Sequence, residues 1–477
     1  MTSCLKLPEV TTLVQSLHTR STLHIVSSRR NVINTIPSEI LGEIFLKLLE
    51  EDDKDLQHSN RPLVSRACHA DPVILGQPQR SQVRLTELWL ERAGTHPLHL
   101  SFWIPDVEQL DTSAAQDIMS HFVERSRYWK NIWFMIELST LITLSSVTLA
   151  PLEHLESASI CFSRRKPFTF HVSRIDPNAI LDDIWRAIHA CKTLKFVHWW
   201  TKYSDQLPDN CPWNQLVSLT VSLFCGFDQL LNILSISPQL ENFCVSSRSL
   251  TVDSADALSF LPDIVVHTRL KTLDITSYLE TGPLFARLAL PALKMLQICH
   301  VFRARPGDPN HFKDFLERSG CQELTIFKLW DVEIEENDLL EYLEYPSLQK
   351  IRCLGLQTKF SDRIAQKLAS RNQQSVLEVL PYLEVIDLSY AIINTTDGYL
   401  SDMITSRYSP IDRKGLKRVA LKADRLGPVD RLAMSKVYSQ GLETYEGNSS
   451  SWKGKEFITR DVPLRNDPWR IDMIAHC

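Results

Sequence analysis

The sequence predicts a fold of the α/β (α+β) class, in which a small N-terminal helical segment precedes a curved solenoid of repeats with a parallel sheet. The first observation is a spacing, L-x-x-L-x-L, that recurs between Trp129 and Leu416 at a mean interval of about 29 residues. In an extended segment, the last two apolar residues of this frame point to one side of the chain. The second observation is that the intervals between copies carry apolar residues at helical spacing. Strands that alternate with helices in this way predict a parallel sheet.

The repeated frame is clearest at Leu383, Ile386 and Leu388. Its period lies in the range of leucine-rich repeats, in which each unit is a strand plus a returning helix. A single unit buries too little apolar surface to offset the entropy of ordering it, so neighbouring units must share one core. The alternative is an ordinary α/β domain with alternating strands and helices. The copies are Trp129/Ile132/Phe134, Leu155/Ala158/Ile160, Leu194/Val197/Trp199, Leu216/Leu219/Val221, Leu240/Phe243/Val245, Leu270/Leu273/Ile275, Leu293/Leu296/Ile298, Leu324/Phe327/Leu329, Leu348/Ile351/Cys353, Leu383/Ile386/Leu388 and Leu416/Val419/Leu421.

Helices are predicted between the copies and at both ends of the repeat region. Ser361 is a candidate N-cap, because its hydroxyl can accept a hydrogen bond from the first helical turn. Pro381 ends whatever helix precedes the Leu383 copy. The predicted helices are Asp106–Arg127, Asp228–Ile236, Pro283–Leu290, Asn310–Arg318, Glu335–Glu344, Ser361–Leu380 and Arg425–Gln440.

The amino-acid composition argues against several classes of function. The 477 residues indicate more than one domain, and 44% of them are hydrophobic, as in a folded protein. The formal net charge of −5 gives no global basic field for nucleic acid. Lys6 and Glu9 interrupt any apolar signal core, and no stretch suits a membrane span. The eleven cysteines include no C-x-x-C pair, which favours packing residues in a reducing compartment.

A short stretch near the N-terminus combines a proline with a broad apolar stripe. Pro37 suits the first turn of a helix, and the residues from Ile40 to Leu48 are apolar on one face. On its own this pattern is also that of a core helix in a small helical domain. The stretch resembles the start of an F-box, L-P-x-E-I-L-x-x-I-F-x-x-L, with Ile36 in place of the first leucine. The resemblance implies adaptor binding by Ile36, Pro37, Glu39, Ile40, Leu41, Ile44, Phe45 and Leu48.

The wider context resembles the F-box-like proteins of mushroom-forming fungi, which continue into degenerate leucine-rich repeats. An acidic loop, Glu50–Asp55, follows the box, and the segment from Trp89 to Leu100 leads into the repeats. Pro78 departs from the family, because it would break the helix that completes the box. The predicted organisation is a helical lead-in at 1–33, an F-box-like segment at 34–80, a helical linker at 81–127, the repeat solenoid at 128–446 and an irregular tail at 447–477.

The sequence contains no catalytic, nucleotide-binding or metal-ligand motif, so we expect no enzyme, no cofactor and no metal site. The resemblance implies the substrate-recognition subunit of a Skp/cullin/F-box-type E3 ubiquitin ligase, acting in the cytoplasm or nucleus. Its partners would be a Skp-type adaptor, a cullin through that adaptor, and a protein substrate. One alternative is a repeat-based interaction scaffold with a degenerate box. Another is a polyanion binder that uses Arg413, Lys414, Lys417, Arg418 and Lys422, with Asp412 and Asp424 interrupting the cluster.

The expected substrate surface consists of the frame positions that face away from the core. Trp330 and Arg352 are expected to anchor the partner, because Trp and Arg dominate interface energetics. The basic members suit an acidic or phosphorylated segment. An alternative is that Trp200 and Trp330 only pack beneath loops. The candidate substrate-binding residues are His198, Trp200, Asp274, Lys328, Trp330, Lys350, Arg352, Asp387, Arg418 and Lys422.

Overall fold

The chain divides into two units, Met1–Arg66 and Ala67–Cys477, and the described residues all belong to the second. The lead-in at 1–33, the tail at 447–477 and the box residues from Ile36 to Leu48 lie outside the described residues. Lys422, Arg413 and Lys414 do so as well. The computed structural model describes residues 80–103, 112–136, 138–146, 151–162, 177–200, 210–223, 226–247, 263–277, 280–300, 309–408, 415–421 and 426–446.

Thirteen of the described strands form one sheet, in which neighbouring strands follow the order of the chain. Every pairing in this sheet is parallel, which confirms the predicted α/β class and the parallel sheet. The main-sheet strands are β1 (Leu98–Trp103), β2 (Trp129–Ile136), β3 (Ser157–Phe162), β4 (Phe196–Trp200), β5 (Ser218–Leu223), β6 (Asn242–Ser247), β8 (Thr272–Ser277), β10 (Met295–His300), β11 (Ile326–Trp330), β12 (Cys353–Gln357), β14 (Val385–Asp387), β16 (Arg418–Leu421) and β17 (Glu443–Glu446). Two small parallel pairs join β7 (Val265–Val266) to β9 (Leu288–Ala289), and β13 (Lys359–Ser361) to β15 (Ile392–Asn394).

Helices occupy most of the connections between the main-sheet strands. Because parallel crossovers are right-handed and the strands advance in one direction, these helices are placed on one face of the sheet. Helices that follow one another in the chain also contact one another, from α1 to α4 and from α5 to α11. They are α1 (Arg80–Ala93), α2 (Thr112–Glu124), α3 (Leu138–Ser146), α4 (Pro177–His189), α5 (Phe227–Ile236), α6 (Gly282–Ala286), α7 (Pro309–Ser319), α8 (Glu336–Glu344), α9 (Asp362–Ala369), α10 (Tyr399–Arg407) and α11 (Pro428–Ser439).

The core lies between sheet and helices and is built by the repeated frame. The first leucine of most copies is fully buried, as are the two strand residues that follow it. The backbone just after this leucine links successive repeats. For example, the amide of Glu241 donates to the carbonyl of Val217, and the amide of Lys271 donates to that of Glu241, both at 2.8 Å. The main-chain polar groups at the start of the sheet are therefore satisfied from repeat to repeat.

One copy of the frame is out of register with the prediction. The sequence frame used Leu348, Ile351 and Cys353, but in the sheet Leu354 pairs with Phe327 of β11 and with Ile386 of β14. The buried frame of β12 therefore begins three residues later than predicted. Both choices place apolar residues at the required spacing, so the pattern alone does not separate them. The prediction was wrong because the short 3₁₀ turn at Pro346–Leu348 also buries its leucine.

The sheet also begins earlier than predicted. Residues 81–127, predicted as a helical linker, contain β1, which pairs in parallel with β2. Leu100 and Phe102 of β1 are aligned with Ile132 and Phe134 of the first predicted copy. The sequence prediction misses β1 because it is a short strand that lies between two helices, α1 and α2. Among the described residues, the last strand of the sheet is β17, which ends at Glu446.

The helix predicted at Ser361–Leu380 is shorter than expected. It begins as predicted, with the Ser361 hydroxyl accepting a hydrogen bond from the amide of Ile364 at 3.4 Å. It ends at Ala369, and an irregular segment follows in which Leu380 has a φ of 48°. The buried guanidinium of Arg407 on α10 donates to the carbonyls of Leu368, Val379 and Leu380. These bonds satisfy the backbone where the helix stops.

Candidate functional site: the outward rows of the sheet

The face opposite the core presents residues in rows that run across the strands. The central row is the set in register with Lys328. The strand register brings the predicted residues His198, Asp274, Lys328 and Asp387 into this row, as expected from their frame positions. The full row is Ser101, Trp133, Ser159, His198, Thr220, Cys244, Asp274, Gln297, Lys328, Gly355, Asp387, Ala420 and Tyr445.

The other predicted residues fall off the central row. Trp200 and Trp330 share the row two residues farther along the strands. Arg418 lies two residues before the central row. Lys350 and Arg352 precede β12, because the frame there is displaced by three residues. The predicted residues on the described strands therefore divide among three rows, and Lys350 and Arg352 lie outside these rows.

The middle of the central row is polar yet buried. The exposed fractions of Asp274, Gln297 and Lys328 are only 3%, 4% and 9%. Gly355 is the neighbour of Lys328 on β12, and a Cβ at this position would come within 3.0 Å of the lysine Cγ. The absence of a side chain at Gly355 thus gives the lysine stem room to lie against the next strand.

Charges near β12 affect a buried thiol. Burial raises the pKa of Cys353, Lys328 and Arg418 lower it and Asp387 raises it, with a net value of about 11. The thiol remains protonated at neutral pH, and this makes it a poor nucleophile.

The basic side chains predicted to bind an acidic segment have acidic or polar partners inside the molecule. The guanidinium of Arg352 donates to Glu384 at 2.8 and 3.0 Å, and Lys417 lies 3.0 Å from the same carboxylate. Arg418 donates to Glu443 at 2.8 Å through Nε. The ammonium group of Lys350 donates to Gln322 at 2.8 Å. Two carboxylates, Glu384 and Glu443, offset part of the positive charge of these four side chains, and each of the four has a polar or charged partner within the molecule.

The contacts among Arg352, Glu384 and Lys417 belong to a further row, of which the sequence prediction included only Arg352. The residue directly after the first frame position often carries a charge, and it meets the equivalent residue of the next repeat. Lys130 lies 3.5 Å from Glu156, and Lys271 donates to Glu241 at 2.8 Å. Opposite charges at one frame position in adjacent repeats would have been the signal in the sequence.

The aromatic cluster around His198 divides between the two faces. His198 points outward and bonds Ser159 at 3.1 Å between Nδ1 and Oγ. Trp199 faces the core, where its ring lies 6.0 Å from that of Trp185 on α4. Farther along, the half-buried ring of Trp330 lies 6.4 Å from that of Tyr390. Trp330 is thus part of an aromatic pair at the carboxyl end of β11.

Among the described residues, no helix has both the length and the apolar content needed to cross a bilayer. That part of the chain also contains no group of three or more His, Cys, Asp or Glu side chains placed to bind a metal ion. In comparisons with known proteins, no family model matches the chain and no curated protein matches it.

Proposed function

We propose that this chain is the substrate-recognition subunit of a Skp/cullin/F-box-type E3 ubiquitin ligase. The observation that carries the proposal is the long outward face of the parallel sheet, which aligns polar and aromatic side chains from successive repeats. Such a face suits a protein partner, because interfaces combine aromatic anchors with a polar surround. The proposal includes a leucine-rich-repeat-like curved solenoid and a box helix that docks a Skp-type adaptor, and through it a cullin.

The adaptor-binding role is supported by the sequence of the box. In a helix that begins near Pro37, one apolar stripe would be formed by Ile40, Leu41, Ile44, Phe45 and Leu48. A stripe of this width must be covered, either by the chain itself or by a partner. In the proposed complex the stripe is buried against the adaptor, and catalysis belongs to other subunits, which act in the cytoplasm or nucleus.

A second candidate is an interaction scaffold whose box no longer binds the adaptor. Pro78 favours it, because this residue interrupts the helix that would complete the box. The polyanion-binding alternative has less support, since Lys417 and Arg418 both contact carboxylates. Salt-dependent retention on heparin would identify that third function.

The two binding roles are tested separately by paired variants. Phe45→Asp should abolish adaptor binding, because it places an unpaired charge in the interface, and it should leave substrate capture unchanged. Trp330→Ala combined with Arg352→Ala should lose substrate capture and retain the adaptor. Tyr382→Ala is the matched control, since Tyr382 is 63% exposed and lies outside the strands. Co-purification of the adaptor with Phe45→Asp would refute the box assignment. A partner set for the double variant that equals the wild type would refute the outward-face assignment.

A further inference from the structure

Three polar side chains meet at the carboxyl ends of adjacent strands. His300 is the last residue of β10, and Asp331 directly follows β11. Thr281 lies between β8 and α6. Because β8, β10 and β11 are neighbours in a parallel sheet, their carboxyl ends lie side by side. Ligand sites in open α/β sheets form at this end of the strands.

The three side chains form a hydrogen-bonded chain. Nδ1 of His300 lies 2.7 Å from Oδ2 of Asp331, and Nε2 lies 3.1 Å from Oγ1 of Thr281. The other carboxylate oxygen of Asp331 accepts the amide of Glu333 at 3.0 Å, which fixes its orientation. Since the carboxylate accepts the proton on Nδ1, Nε2 carries the lone pair and accepts the threonine hydroxyl. Hydroxyl, imidazole and carboxylate thus stand in the order that activates a nucleophile.

A small cavity adjoins these groups. Thr281, His300 and Asp331 line it on its polar side, and its volume is about 20 Å³. This is room for one water molecule or a group of similar size, such as a methyl. The remaining wall is apolar and aromatic, formed by Phe285, Ile298, Phe312, Leu329, Ile334 and Tyr342.

Tyr342, one of the residues that line the cavity, carries a phenol group. Burial raises the pKa of its phenol, and nearby Tyr345 and acidic side chains contribute smaller effects in the same direction. The hydroxyl therefore stays protonated at all physiological pH values. A protonated phenol beside the cavity can donate to an oxygen atom that becomes negative during a reaction.

We propose that Thr281 is the nucleophile of an acyl-transfer site that hydrolyses small acetyl esters. Oγ1 of Thr281 attacks the ester carbonyl carbon while its proton passes to Nε2 of His300. The tetrahedral intermediate collapses, the bond to the leaving oxygen breaks, and the departing alcohol takes that proton from His300. A water molecule then attacks the acetyl-threonine, again with His300 as base, and releases acetate and the free hydroxyl. Asp331 is a positioning residue, because it orients the imidazole without touching the ester.

The cavity size selects the acyl group. A space for one water-sized group suits the methyl of an acetyl group better than a longer acyl chain. The site is separate from the proposed substrate surface. Side chains alternate along β10, so His300 points to the same side as the core residue Ile298 and away from Gln297 in the central row.

The experiment uses the full chain and p-nitrophenyl acetate. Release of p-nitrophenolate is followed at saturating ester, and acid-quenched samples are digested and mapped for an acetyl group on the peptide that contains Thr281. Thr281→Val and His300→Gln should lower turnover about 100-fold or more. Asp331→Asn should lower it to a similar extent, since the wrong imidazole tautomer would be favoured. Thr281→Ser should retain turnover, because it keeps the hydroxyl.

Thr358→Val is the matched control. Thr358 is fully buried and its hydroxyl faces the carbonyl of Lys359, away from the cavity, so this variant should turn over the ester like the wild type. Equal turnover of folded wild type and Thr281→Val would overturn the proposal. If Thr281→Val does not fold, the acetyl map of the wild type decides the question. Acetyl-Thr281 supports the nucleophile, and acetyl groups confined to lysines or cysteines refute it.

Discussion

Acid should destabilise the domain that contains the thirteen-stranded sheet (the sheet domain) through one buried histidine, His189 at the end of α4. Burial lowers its pKa from 6.5 to about 4, and the hydrogen bond that its Nδ1 donates to the amide oxygen of Asn210 acts in the opposite direction. Between these two pH values the unfolded chain binds a proton that the folded chain does not. The free energy of unfolding therefore falls as the pH falls from 6.5 towards 4. From the pKa shift, the loss is about 2 kcal/mol by pH 5 and about 3 kcal/mol at pH 4.

The contribution of His189 to this loss of stability is measured by urea unfolding of the wild type and of His189→Phe at pH 7 and pH 5. Phenylalanine keeps the stacked ring against Trp185, whose centroid lies 5.2 Å from that of His189. Other groups titrate equally in both proteins, so the difference between the two pH dependences isolates His189. The variant should lose about 2 kcal/mol less than the wild type. His154→Phe, at an exposed position, should behave like the wild type. An identical pH dependence in wild type and His189→Phe would refute the assignment of a buried neutral imidazole.

Three further substitutions test the packing of the repeats by the same urea titration. Arg407→Met should lower the free energy of unfolding by about 3–5 kcal/mol, because three buried carbonyls lose their hydrogen-bond donor. A loss below about 1 kcal/mol would show that these carbonyls find other donors. Leu354→Ala should lower the free energy of unfolding by about 2–5 kcal/mol, and Cys353→Ala should lower it by about 1 kcal/mol. A larger loss for Cys353→Ala than for Leu354→Ala would support the frame predicted from sequence. Ser361→Ala should cost about 1 kcal/mol through the lost N-cap of α9, and no change would exclude that cap.

The sequence predicts the sheet well because two features of the frame indicate each strand, namely the spacing of the leucines and the alternation of apolar residues that follows. The prediction fails where a second set of apolar residues has the same spacing. Leu348 and Ile351 both suit the first position before β12, and only pairing with β11 and β14 decides between them. The end of α9 at Ala369 depends on Arg407, which lies far away in the chain. Local periodicity cannot show such a contact.

The candidate sites differ in the same way. The central row follows from alternation, so His198, Asp274, Lys328 and Asp387 could be placed from sequence. The partners of Arg352 and Arg418 are Glu384 and Glu443 of the following repeats, and they become visible in the sequence only when charges are compared between adjacent copies of the frame. Likewise, no motif joins the three polar residues at the carboxyl edge. They are distant in sequence and are brought together only by the order of strands β8, β10 and β11.

The most direct test of the proposed function is the binding of purified Skp-type adaptor to the intact, unmutated chain. Size-exclusion chromatography with light scattering gives the stoichiometry, and calorimetry gives the affinity. The proposal predicts a one-to-one complex that Phe45→Asp abolishes while the melting transition of the sheet domain is retained. A folded chain that binds no adaptor would contradict the ligase role, and the interaction scaffold with a degenerate box would then be the correct function.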